Sequence, residues 1–157
     1  LVILYSFQSL ILDMSGNTGT QSLAVTIRVL NEEAISGKEK LKFILKEMRI
    51  GLMNGLIIGT LAFVAVGLYL AFIPGALAAG TPKYYGFEIS ACIGISLVAG
   101  MLMASLDGTL VPIFFKKIGI DPAVASGPLI TTLNDLIAVC VYYGVSLLLF
   151  VQIGLFH

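Results

Sequence analysis

From Gly51 to about Ala79 the chain carries no charged side chain, and at ~1.5 Å of rise per residue a helix of that length outreaches the ~30 Å hydrocarbon layer of a bilayer. That run decides the solvent. Two more follow it, one from Ile89 to Ile113, ending at Lys116-Lys117-Ile118-Gly119-Ile120-Asp121-Pro122, and one from Ala123 to Phe156. A first apolar stretch covers Leu1 to Met14, pauses at Ser15-Gly16-Asn17-Thr18-Gly19-Thr20-Gln21 and resumes from Ser22 to Leu30. Since lipid leaves no partner for an unpaired backbone group, each run must be a helix. Residues 1–157 therefore form one all-α integral membrane unit, a polytopic bundle of four spans.

Composition matters mainly for what it excludes. Only 11% of the 157 residues are charged, against roughly a quarter in a soluble domain, so the polar coat of a soluble fold is missing. Nine basic residues offset nine acidic ones, leaving no field to attract nucleic acid. Cys92 and Cys140 lie apart in apolar runs, and His157 is the single histidine, which argues against a disulfide framework or a zinc site. No Ser-His, HExxH or phosphate-loop pattern occurs, so an enzyme is not expected. The chain opens on Leu1-Val2-Ile3 without Met or a basic leader, as a cut fragment would.

Charge gathers between Asn31 and Ile50. There Lys38, Lys40, Lys42, Lys46 and Arg49 alternate with Glu32, Glu33, Glu39 and Glu47, and Leu41, Ile44, Leu45 and Met48 recur at helical spacing. Lys38 to Arg49 reads as an amphipathic helix at the interface. Six basic residues lie from Arg28 to Arg49, one between the second and third spans (Lys83) and two between the third and fourth. The bias predicts a multi-pass protein of the cell membrane with residues 31–50 and 116–122 cytoplasmic and the carboxyl end outside.

The informative residues are the polar ones at membrane depth. Asp135 stands more than a helical turn inside the last span, where an acid costs ~2.5–3.5 kcal/mol, and no basic residue of that span can pair with it. A hard cation is the natural neutraliser. Thr131 and Gly127 follow at four-residue intervals on the same face, offering a hydroxyl and an open backbone carbonyl; small-residue packing between helices explains those two equally well. In the Ser15–Gln21 segment, Gly16 and Gly19 flank Asn17 and Thr18, which allows an unwound stretch whose carbonyls face a lumen, with Asp13 at its outer mouth and Thr20 beside it. A packing kink is the competing account. Asp107 is a secondary ligand or a structural hydrogen-bonding group near Pro112, the latter favoured, and Glu88 is expected to be solvated at the outer interface.

Two blocks resemble a known family. The run Asp13-Met14-Ser15-Gly16-Asn17-Thr18-Gly19-Thr20-Gln21 through Arg28 is similar to the GGNAGTQ-type signature of the MgtE magnesium transporters and channels, and Asp121-Pro122-Ala123 through Ser126-Gly127-Pro128, Thr131-Thr132 and Asp135 is similar to that family's last-span signature. The resemblance implies a homodimer with five spans per subunit and a pore at the two-fold axis, between the helices matched here by Leu1–Leu30 and Ala123–Phe156. It further implies that Asp135 holds hydrated Mg²⁺, that Thr131 and Gly127 lie on the same stripe with Asn17 as a further ligand, and that Asp13, Gly16, Gly19 and Thr20 line the pore. Gly127 stands where relatives carry Asn, and Ser15 and Thr18 replace the commoner Gly and Ala. The family's first helix and its cytosolic regulatory domains, partners that gate many relatives, have no counterpart here. Two facing Asp135 carboxylates match a divalent ion, which prefers to keep several waters. The function read from the sequence is therefore Mg²⁺ permeation; an Na⁺- or H⁺-coupled carrier and a scaffold that transports nothing are the alternatives.

Overall fold

A computed structural model describes residues 2–32, 36–77, 80–125 and 128–153. Four long helices account for most of them: α1 (Val2–Glu32), α2 (Gly37–Phe72), α3 (Tyr84–Lys117) and α4 (Pro128–Ile153), with a short 3₁₀ turn at Pro122–Ala125 leading into α4. Among the described residues α2, α3 and α4 are long and apolar enough to cross a membrane. At 31 residues α1 has the length, but its polar side chains dilute the apolar run.

Two expectations are corrected. The Ser15–Gln21 segment is not unwound, because α1 passes through it as continuous helix. Its hydroxyls find partners within that helix: Thr18 Oγ1 donates to Met14 O at 3.0 Å and Thr20 Oγ1 to Gly16 O at 2.7 Å, each four residues back. Lys38–Arg49 is helical, as its spacing predicts, but it is no separate interfacial helix. It forms the first turns of α2, which runs on without a break into the apolar span. The start is fixed by the Ser36 N–H, which donates to Glu39 Oε2 at 2.7 Å. At the other end, α2 stops at Pro74-Gly75, where Gly75 takes a φ of 84° that a side chain would resist.

The helices alternate in direction, and α3 is the centre against which α2, α1 and α4 pack. Lipid supplies no hydrophobic drive between apolar helices, so close approach through small residues must do the work. Gly51, Gly55 and Gly59 recur every four residues on one face of α2. A Cβ on Gly59 would lie 2.7 Å from Gly94 O, and one on Gly94 would lie 2.8 Å from Gly59 O. Backbone therefore touches backbone. The α1–α3 contact is closer still, since a Cβ on Gly108 would come within 2.3 Å of Gly19 O.

Some of the polar groups caught between the helices are tied together. Ser105 Oγ donates to Glu47 O on α2 at 2.7 Å, so the 3.0 Å contact with Ser22 Oγ on α1 has Ser22 as donor. Lys116 Nζ donates to Leu30 O, so a cation of α3 caps the carboxyl end of α1. At the opposite end Tyr143 Oη donates to Gln8 Oε1 at 2.7 Å and its ring packs 5.8 Å from that of Tyr5.

These contacts give a prediction. Gly108→Ala drives a methyl into α1 backbone and should lower the stability of the detergent-solubilised protein by ~1–3 kcal/mol. Gly16→Ala, whose Cβ would meet nothing within 4 Å, should melt close to wild type. Equal melting temperatures for the two variants would contradict the packing described here.

Candidate functional site

An uninterrupted α1 turns its polar residues into faces. Ser9, Asp13, Gly16, Asn17 and Thr20 recur at three- and four-residue intervals and share one side. α4 presents Thr131 and Asp135, one turn apart, toward the same side. The two helices border a groove of about 730 Å³ lined by Ser9, Leu10, Leu12, Asp13, Gly16, Asn17, Thr20, Thr131 and Asp135. Of the eight residues singled out in the sequence, six lie along it.

The other two do not. Gly19 is buried in α1, where a Cβ would sit 2.1 Å from Asn134 Nδ2, so its role is to let α4 and α3 approach rather than to line a path. Gly16 shows the contrast, for it faces open space. Gly127 lies outside the described residues.

The groove's chemistry is oxygen and negative charge. Asp13 and Asp135 line it, no basic side chain does, and neither carboxylate has an ion pair among the described residues. Hydroxyls of Thr20 and Thr131 and the Asn17 amide supply neutral oxygens. Thr20 already donates its proton to Gly16 O, so its lone pairs are what it offers a ligand. Nowhere among the described residues do three or more His, Cys, Asp or Glu side chains converge as a metal cage. Two carboxylates in a space this size suit a cation that keeps much of its water.

The remaining acids behave differently. Asp107 is half-buried on α3 away from the groove, and its Oδ2 is buried without a hydrogen bond among the described residues. Glu88, expected to be solvated, likewise has Oε2 buried without a partner, a correction that follows from its place within α3 rather than before it. Cys92 is buried and Cys140 exposed, both as free thiols. Sequence reading missed Ser9. Its signal is the four-residue step to Asp13, which disappears when the segment ahead is read as a break.

Known proteins resemble this chain over most of its length. A family model described as MgtE, a divalent cation transporter, matches residues 8–145. The chain is 35% identical over 145 residues to the magnesium transporter MgtE of Bacillus subtilis, 38% over 144 residues to that of Enterococcus faecalis and 34% over 140 residues to that of Thermus thermophilus. These alignments cover 92%, 92% and 88% of this chain but 29%, 29% and 28% of the relatives, so the chain spans less than a third of their length.

The groove can be tested for water. In a Cys140→Ser background, cysteines placed at Asn17 and Thr131 should react with a membrane-impermeant thiol reagent, and Mg²⁺ should slow the reaction. Absence of labelling at both positions in intact, folded protein would show that the groove is closed to water.

Proposed function

The chain belongs to the MgtE family of divalent cation transporters, and from that premise we propose that the α1–α4 groove is one half of an Mg²⁺ path completed by the same groove of a second copy. The observation that carries this reading is the joint lining of one groove by Asp13, Asn17, Thr20, Thr131 and Asp135. A two-fold axis along the groove sets two Asp135 carboxylates against one divalent ion, matching its charge without a cage of direct ligands. Mg²⁺ is octahedral and sheds water reluctantly, so carboxylates and hydroxyls acting through retained waters both hold it and release it. Asp13, on the same side of α1, adds negative potential along the path and raises the local concentration of cations.

In this reading α1 is a fourth span. Its length suffices, and its polar side faces the water of the groove instead of lipid, the one setting in which such residues are tolerated at membrane depth. The protein is a multi-pass protein of the cell membrane, oriented by its basic residues with segments 31–50 and 116–122 in the cytoplasm. Relatives named as transporters support permeation as the proposed role.

Mg²⁺ uptake into liposomes reconstituted with the whole native protein tests the proposal. Asp135→Asn, which keeps shape and removes charge, should lower uptake at least ~10-fold, equivalent to ~1.4 kcal/mol, while the dimer persists on size-exclusion chromatography. Wild-type uptake by a folded Asp135→Asn dimer would refute it. Uptake that needs an opposing Na⁺ or pH gradient would assign the groove to a coupled carrier instead.

A further inference from the structure

The charged turns that open α2 take no part in the groove. Along them Lys38, Lys42, Leu45, Arg49, Leu52 and Leu56 follow one another at steps of four and three residues, which keeps them on one side of the helix, and all six are exposed. The opposite side is the packed one. Glu47 and Gly51 are buried there, the Glu47 carbonyl receiving the Ser105 hydroxyl of α3. The acids of the segment thus lie off the cationic side: Glu47 is turned inward, and Glu39 accepts the Ser36 N–H at the helix start. None of Lys38, Lys42 and Arg49 has an ion pair among the described residues.

What lies between these cations is apolar. Leu45 is 49% exposed, and Leu41, beside Lys42, is 58% exposed. Past Arg49 the same stripe continues through Leu52 and Leu56 into the uncharged run, where its surroundings are lipid. Lysine and arginine stems lie along such leucines while their charged heads reach the polar layer. A soluble anion gains little from a convex helix side, and an acidic peptide covers the cations without following the stripe into hydrocarbon. An anionic lipid matches both parts. Spacing sets the depth: at ~1.5 Å per residue Arg49 stands ~3 Å outside Gly51, at headgroup level, and Lys42 lies ~10 Å further out. That puts Lys42 beyond contact with the headgroups but within about one Debye length of them.

We propose that this side of α2 binds anionic phospholipid, with Arg49 on a headgroup phosphate, Lys42 acting through the surface potential, and Leu52 and Leu56 along the acyl chains. The proposal is independent of the reading given to the groove. Spin-labelled phosphatidylglycerol and phosphatidylcholine, compared by electron paramagnetic resonance in phosphatidylcholine liposomes holding the whole native protein, test it. The protein should immobilise phosphatidylglycerol at least ~2-fold in preference, the ~5-fold expected of one cation near an anionic surface being diluted over the surrounding lipids. Lys42→Gln/Arg49→Gln should remove most of that preference, and Lys42→Glu/Arg49→Glu should reverse it at this site and lower it further. Salt at 1 M, where the Debye length is ~3 Å, should lower it in the wild type. Equal immobilisation of the two lipids by the wild type would overturn the proposal, as would happen if an acidic segment of the protein covered these cations. A preference undiminished in Lys42→Gln/Arg49→Gln would place the headgroup elsewhere and overturn it too. Should that variant fail to fold, a preference indifferent to 1 M salt is the overturning result. Loss of the preference on adding millimolar glycerol phosphate would assign the cations to a soluble anion and refute a lipid site.

Discussion

A helix as polar as α1 can lie among membrane helices only if lipid never meets its polar faces. The fold meets part of that constraint. α3 covers one flank through Gly100 and Gly108, α4 covers another through Asn134, α2 stands across from Thr18, Gln21 and Ser22, and Asp13, Asn17 and Thr20 stay exposed along the groove. Much of the architecture follows from this partial cover. The apolar helices bring the close contacts, and α1 brings the chemistry.

The contacts depend on missing side chains. Between α2 and α3, glycines every four residues let carbonyls lie against facing backbone, where dispersion replaces the hydrophobic drive that lipid cannot supply. Hydroxyls bridge what backbone cannot satisfy: Ser22, Ser105 and the Glu47 carbonyl join three helices in one chain of donors and acceptors. Several buried polar atoms stay unpaired among the described residues, and Asn134 is one case. It is 1% exposed, and both its amide atoms lack a partner among the described residues. It bears this desolvation wedged against Gly19, beside the residue that lines the groove.

The membrane class, the long apolar helices and the isolation of Asp135 within one of them were legible in the sequence, because apolar run length and an acid inside such a run are local facts. The fate of Ser15–Gln21 was not. Glycine and asparagine lower helix propensity, and from propensity alone a break is reasonable. The close packing of Gly19 against α3 and α4 favours the helical course, and the hydroxyls of Thr18 and Thr20 are satisfied within it by Met14 O and Gly16 O; neither contact is visible in composition. The same blindness hid the two roles of the motif's glycines: Gly16 faces space and Gly19 faces Asn134, though both read alike as small residues.

Glu47 makes the point from the other direction. Among alternating lysines and glutamates it reads as one more solvated charge at an interface, yet the unbroken course of α2 carries it against Ser105 and Ser22 and buries it. The amino-acid order by itself determined that this chain lives in a bilayer as helices, because hydrocarbon offers backbone groups no other partner. Which polar residues share a groove, which glycine is a contact and which acid is enclosed were decided by tertiary structure, because those properties depend on how helices are rotated and spaced against one another.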